Sequence, residues 1–236
     1  VIEKLSIIIP VFNEAQTIEQ VLEKVKSVKL IHNISKQVII IDDHSKDNSL
    51  EVIRKFASKN SDLISEVISL KENKGKGFAV RTGISLATGN YIIIQDADVE
   101  LNPEDYNVLI QASVKTNAQV VYGSRFLKRQ KFPIPIKTVI ANKILSAVTS
   151  VLVGKKITDM ETCYKLIDRS LLQDLQLKEN RFGFEPEITL KLLRKRHIRY
   201  VEVPVSYKAR SKHMGKKIGL TDGLRALYCL IRYRLS

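Results

Sequence analysis

Asp96 and Asp98, separated only by Ala97, follow the apolar stretch Tyr91-Ile92-Ile93-Ile94-Gln95 and so place two carboxylates where a buried strand should meet solvent. Two hard oxygen donors one residue apart can face a common divalent cation if the backbone turns there, as magnesium and manganese sites require. The same pair can instead cap a turn or the start of a helix. The triplet alone supports both readings.

Other residues with chemical potential recur at similar places. Asp42-Asp43 ends the apolar run Val38–Ile41, and Asn13-Glu14 follows the run Leu5–Val11. In Asn73-Lys74-Gly75-Lys76-Gly77, glycines precede a predicted helix, where backbone N–H groups can approach a phosphate and the two lysines add charge. That segment lacks the GxxxxGK spacing and the Ser or Thr of a nucleotide-hydrolysing loop, so such hydrolysis is not expected. No GxGxxG follows the first strand, which argues against a dinucleotide-binding domain. Arg125 comes directly after Val120-Val121-Tyr122-Gly123-Ser124 and can either serve an anion there or lie on the surface. Arg210-Ser211-Lys212-His213-Met214-Gly215-Lys216-Lys217 is either a solvated basic face or a clamp on phosphate.

The elements that must position these groups alternate. Leu5–Val11, Val38–Ile41, Val67–Leu70, Tyr91–Gln95 and Val120–Gly123 read as strands. Between the first four lie predicted helices carrying Ile18, Val21, Leu22 and Val25; then Leu50, Ile53 and Phe56 or Ala57; then Phe78, Val80, Ile84 and Leu86. Strands this apolar, without polar alternation, belong in a mostly parallel sheet covered on both faces. Ligands of such sheets sit beyond the carboxyl ends of the strands, where these Asp, Asn, Gly and Arg residues fall. Loops collect such residues in any α/β domain, but carboxylates after two separate strands are unexpected in a basic chain. Further on, Ile136 to about Val153, Glu185–Arg196 and a segment from Leu220 read as helices. Tyr200–Tyr207 reads as a strand that Pro204 confines to an edge or a bulge.

The 39 Lys and Arg residues against 25 Asp and Glu give a net charge of +14 over 236 residues. That excess points to an anionic partner: nucleic acid, a phosphorylated small molecule or an acidic membrane surface. No recognition helix and no aromatic stripe between basic residues is evident, so nucleic acid is not expected. Two cysteines make no disulfide framework and suit a reducing compartment. The four histidines fall in no zinc spacing, so any metal should be held by oxygen. The apolar runs look too short to span a bilayer, and a cytoplasmic protein, peripheral on a membrane face, is expected.

Taken in order, the motifs resemble those of the inverting family 2 glycosyltransferases of the dolichyl- or polyprenyl-phosphate mannose and glucose synthase type. They are Pro10-Val11-Phe12-Asn13-Glu14, Asp42-Asp43-His44-Ser45-Lys46-Asp47, Asn73-Lys74-Gly75-Lys76-Gly77, Asp96-Ala97-Asp98 and Gly123-Ser124-Arg125-Phe126. Thr158-Asp159-Met160-Glu161-Thr162-Cys163-Tyr164-Lys165 and Gly215-Lys216-Lys217-Ile218 complete the set, so the resemblance covers essentially the whole chain.

The resemblance implies an α/β GT-A fold, a mostly parallel central sheet flanked by helices, as one domain over residues 1–236. Residues 1–125 would form the nucleotide-sugar half and 126–236 the acceptor-side half, with no transmembrane domain. It implies hexosyl transfer from GDP-mannose or UDP-glucose to dolichyl or polyprenyl phosphate, with Mg2+ or Mn2+ as cofactor and a peripheral anionic membrane surface as partner. By the same resemblance, Pro10, Phe12, Glu14, Asp42 and Asp43 form the nucleoside edge, joined on the donor side by Lys76, Gly77, Asp96, Ala97 and Asp98. Asp96, Asp98 and Glu100 would be the metal ligands; Arg125 would serve the sugar phosphate, and Arg210, Lys216 and Lys217 the acceptor side. Asp98, Arg125, Asp159 and Arg210 are the expected catalytic residues, although Asp159 reads equally as a salt-bridge partner. His44 stands where glycine is more familiar, which leaves the donor identity open. The rival readings are transfer to a saccharide or soluble acceptor, an anion-binding module, and an inactive transferase-like domain.

Overall fold

A computed structural model describes residues 2–130, 134–209 and 220–235 of the chain. Seven strands form one sheet in the order β3-β2-β1-β4-β6-β5-β7. They are β1 (Lys4–Val11), β2 (Ser35–Asp42), β3 (Ile64–Ser69), β4 (Tyr91–Ile94), β5 (Val120–Ser124), β6 (Lys165–Asp168) and β7 (Tyr200–Pro204). Four of the six pairings are parallel; β6 runs antiparallel between β4 and β5. The expected mostly parallel sheet is therefore observed, and β7 lies at its edge, as Pro204 predicts.

The central strands form because they are apolar throughout: Leu5, Ile7, Ile8 and Ile9 of β1 and Val38 to Ile41 of β2 are completely buried. Such strands need cover on both faces, which the helices supply. These are α1 (Ile18–Ser27), α2 (Ser49–Lys59), α3 (Lys76–Leu86), α4 (Tyr106–Thr116), α5 (Ile136–Val153), α6 (Ser170–Gln173), α7 (Phe184–Leu193) and α8 (Leu220–Leu235). The expected face of α1, Ile18, Val21, Leu22 and Val25, is the buried one. In α3 the buried face is instead Gly77, Ala79, Val80 and Gly83, because Gly83 lets the helix pack directly on Ile8; a Cβ there would lie 2.4 Å from the Ile8 side chain.

Strand β6 and helices α4 and α6 are not anticipated by the sequence reading. Only Leu166 and Ile167 of β6 are apolar, too few to show a period, and its place in the sheet comes from long-range pairing with β4 and β5. Helix α4 does carry a legible pattern, with Tyr106, Leu109, Ile110 and Ser113 buried at helical spacing.

Helix α5 corrects the expectation about span length. Its 18 residues are long and apolar enough to cross a membrane by length and composition, and only 22% of it is buried. The polar residues that interrupt its apolar run, Asn142, Ser146 and Thr149, are buried with Leu145 against the protein. Ile136, Ile140, Ile144 and Val151 face outward.

Candidate functional site

Because β6 is antiparallel, its first residue, Lys165, arrives at the same sheet edge as the carboxyl ends of β1, β2, β4 and β5. The motifs gather at that edge. Phe12 and Pro10 lie there partly exposed. Asp42 is 1% exposed, and its Oδ2 accepts from the Ser45 N–H and the Ser69 hydroxyl, each at 3.3 Å. Its Oδ1 is buried without a hydrogen-bond partner among the described residues.

Asp43 has a different task from its neighbour. Its carboxylate accepts from the backbone N–H groups of Lys74 and Gly75, both at 2.7 Å, and from the Asn73 side chain at 2.9 Å. It thereby fixes the glycine-lysine segment rather than facing a ligand with unused oxygens. Burial pushes its pKa up, opposed by those two backbone donors. The segment must pass close to other backbone: a Cβ on Gly75, whose φ is +94°, would lie 2.6 Å from the Asn180 carbonyl oxygen, and one on Gly77 would lie 2.4 Å from that of Glu179. His44 keeps the left-handed turn with φ of 61°, so its side chain does not abolish the geometry that glycine would adopt there.

The turn carrying Asp96 and Asp98 is held from below. Gln95 is buried, receives the hydroxyls of Tyr106 at 2.6 Å and Tyr164 at 2.7 Å, and donates to the Asp96 carbonyl at 2.9 Å. The Thr17 hydroxyl donates to the Ala97 carbonyl and to Glu14, tying this turn to the loop after β1. Lys76 Nζ lies 2.7 Å from Asp96 Oδ1 and 3.4 Å from Glu185 Oε1, while Lys165 pairs with the other Glu185 oxygen. Burial opposes the Lys76 charge, but Asp96 and Glu185 outweigh it and hold the pKa well above the ordinary lysine value.

Asp98 Oδ1 accepts from the Glu100 N–H at 3.2 Å, and the Glu100 carboxylate accepts from the Tyr207 hydroxyl at 3.0 Å. Among the described residues, no group of three His, Cys, Asp or Glu side chains is gathered closely enough to hold an ion. Asp96 and Asp98 still suit a hard cation that takes its remaining ligands from water and phosphate, as magnesium and manganese do. The Lys76 ammonium against Asp96 shows that this carboxylate accommodates positive charge.

Arg125 is clamped by Asp159. Its Nε donates to Oδ2 and its Nη2 to Oδ1, both at 2.7 Å, and its backbone N–H also reaches Oδ2 at 3.0 Å. Asp159 is fully buried, with both oxygens engaged. The segment carrying it is held by the polar face of α5: Asn142 donates to the Thr158 carbonyl at 2.9 Å, and the Met160 N–H donates to the Ser146 hydroxyl at 3.0 Å. From the other side, the Glu202 carboxylate accepts the backbone N–H groups of Thr158 and Asp159.

The edge thus unites Pro10, Phe12, Glu14, Asp42, Asp43, Lys76, Gly77, Asp96, Ala97, Asp98, Arg125 and Asp159. Arg210, Lys216 and Lys217 lie outside the described residues. Lys165, Glu185 and Gln95 belong to the site's support, a role the sequence reading assigned to none of them. Glu185 reads there only as the start of a helix, and nothing in the local sequence pairs it with Lys165.

A family model described as glycosyl transferase family 2 matches residues 6–176. Among curated relatives, a dolichol-phosphate mannosyltransferase of Pyrococcus furiosus is 26% identical over 98% of the chain and 64% of its own length. A UDP-N-acetylglucosamine–dolichyl-phosphate N-acetylglucosaminyltransferase of Methanococcus voltae is 27% identical over 98% of the chain and 96% of its own length. The chain thus spans slightly under two thirds of the Pyrococcus protein and nearly all of the Methanococcus one. Among solved structures, glucosyl-3-phosphoglycerate synthase from Mycobacterium tuberculosis, in complex with Mn2+, UDP and glucosyl-3-phosphoglycerate, aligns with a TM-score of 0.67. It is 19% identical over 98% of the chain and 80% of that structure's chain, a likeness that carries the GT-A fold.

Proposed function

The chain belongs to glycosyl transferase family 2, and from that membership we propose that it transfers a mannosyl or glucosyl group from a nucleoside-diphosphate sugar to dolichyl or polyprenyl phosphate, with inversion. Residues up to 125 handle the donor and those from 126 onward the acceptor. The observation that favours a lipid over a soluble acceptor is the outward apolar face of α5, with Ile136 at 68% and Val151 at 83% exposure. The opposite face of that helix holds the Asp159 segment. An acceptor drawn from a membrane would therefore arrive beside the Arg125–Asp159 pair.

The residues divide the work. Phe12 and Asp42, whose buried Oδ1 has no hydrogen-bond partner among the described residues, suit the nucleoside by offering an aromatic face and a hydrogen-bond acceptor. Asp96 and Asp98 would hold Mg2+ or Mn2+, which supplies neutralising charge to the donor diphosphate. Lys76 adds a second positive group on that side, and Arg125, held rigid by Asp159, presents a cation where the sugar and the acceptor phosphate meet. An oxygen of the lipid phosphate forms the new bond to the anomeric carbon while the bond to the diphosphate oxygen breaks, and the nucleoside diphosphate leaves with that electron pair. The attacking oxygen is already ionised near neutral pH, so no protein base is needed.

A panel of GDP-mannose and UDP-glucose, each with short-chain polyprenyl phosphate and either metal, tests this directly. The expected result is a glycosylated lipid phosphate of the calculated mass from one donor. Sugar transfer to soluble saccharides alone would overturn the acceptor assignment.

Membrane association gives a separate expectation. Tyr228 and Ile231 of α8 are also exposed beside Arg225, Arg232 and Arg234, and α8 packs on α5 and α7. Such a surface binds apolar and anionic headgroup regions together. The chain should sediment with anionic vesicles at low salt, and Ile140→Glu with Ile144→Glu should lower the partition by about tenfold or more, the scale of two lost apolar burials. No sedimentation of the unaltered chain would count against peripheral docking.

A further inference from the structure

Glu161 lies two residues beyond Asp159 and plays no part in the clamp. Its Oε1 is sealed from solvent and has no hydrogen-bond partner among the described residues. The field of Arg125, Lys165 and Lys76 acts on it, opposed by Glu185. Each of those three cations is engaged elsewhere: Arg125 with Asp159, Lys165 with Glu185 and the carbonyls of Met160 and Thr162, and Lys76 with Asp96 and Glu185. Glu161 therefore feels their charge without receiving their hydrogens. A buried polar atom left in this way is destabilising, and it calls for a ligand that completes it.

We propose that Glu161 is a specificity-determining residue that hydrogen-bonds a hydroxyl of the donor hexose. This rests on the nucleotide-sugar reading of the site. Three nearby cations disfavour a cationic ligand, and an anionic one would meet an ionised carboxylate. A hydroxyl is neutral and can both donate and accept. That versatility matters here because burial, and next Glu185, push the Glu161 pKa up to about 7, so that both protonation states are populated near neutral pH. Glu161 lies in the field of both Lys76, on the proposed diphosphate side, and Arg125, on the proposed transfer side.

The test compares nucleoside diphosphate with nucleotide sugar by calorimetry on the whole chain, using UDP, UDP-glucose, GDP and GDP-mannose with Mn2+. In Glu161→Ala, the affinity for the bare diphosphate should stay within about twofold, while that for the matching nucleotide sugar should fall about tenfold or more, as for a lost hydrogen bond to a charged group. Glu161→Gln, which still offers an oxygen and an N–H, should retain most of that affinity and melt no lower than the unaltered chain. Glu161→Leu, of similar volume, serves as a second truncation if the alanine variant folds poorly. Equal losses for diphosphate and nucleotide sugar, or no loss for either, would overturn the hydroxyl role while leaving the donor assignment standing. A Glu161→Gln variant with unchanged nucleotide-sugar affinity but turnover reduced by about a thousandfold would instead make Glu161 a proton-transferring base, which also overturns the proposal. If the unaltered chain binds none of the four compounds, the donor reading and this inference fall together.

Discussion

Asp98→Ala is expected to lower turnover by about 10²–10³-fold, the scale for removing one group that stabilises developing charge. The fold should survive. Asp98 is partly exposed, and its Oδ1 accepts a hydrogen bond from the Glu100 N–H, a contact worth about 1 kcal/mol. The loss follows from the proposed role, in which Asp96 and Asp98 would hold the metal that neutralises the departing diphosphate, beside Lys76 and Arg125. With Asp98 removed, Asp96 is left paired to Lys76, and the proposed metal site loses one of its two carboxylates. The measurement is product formation in saturating Mg2+ or Mn2+, beside Mn2+ binding followed by electron paramagnetic resonance. Turnover equal to that of the unaltered chain would sink the metal role of this pair.

Asp159→Ala should damage both stability and turnover, for one reason. Arg125 Nη2 and Nε both bond to a fully buried Asp159, so truncation leaves a guanidinium with 13% side-chain exposure and without the carboxylate it is bonded to. Breaking such a pair costs roughly 3–5 kcal/mol. An Asp159 acting as base would need an oxygen turned to the acceptor, whereas both accept from Arg125, the arrangement a positioning role requires. The double substitution Arg125→Met with Asp159→Leu separates the two effects. Apolar replacements of a buried pair are neutral or stabilising, so denaturant unfolding should return to near the original midpoint while transfer remains lost. Asp159→Ala with an unaltered midpoint but no turnover would point to direct chemistry instead. Arg125→Lys should rescue little, because an ammonium cannot match the two-pronged geometry.

Much of this was legible in the chain. Ile7 to Ile9, Val38 to Ile41 and Ile92 to Ile94 are continuous apolar runs that only a doubly covered sheet can bury, and they are its centre. The residues that end those strands were readable as a site because parallel strands put their carboxyl ends on one edge. Local sequence could not show what each carboxylate does there. Asp42 and Asp43 are adjacent and chemically identical, yet one keeps an oxygen without a partner among the described residues and the other is taken up by Lys74, Gly75 and Asn73. That difference depends on a loop thirty residues away.

The sequence by itself determined the alternating elements, the sheet they must form and the set of polar residues at its edge, because burial period and turn chemistry are local properties. Tertiary structure decided the rest. Four residues of β6, too short to announce themselves, enter the sheet antiparallel and bring Lys165 to the site, where Glu185 links it to Lys76 and Asp96. Helix α5 turns Asn142, Ser146 and Thr149 inward, the first two holding the Asp159 segment, and leaves Ile136, Ile140, Ile144 and Val151 outside, the reverse of what apolar composition alone would suggest. Pairing and burial of this kind join residues far apart in the chain, and only the packed fold specifies which of them meet.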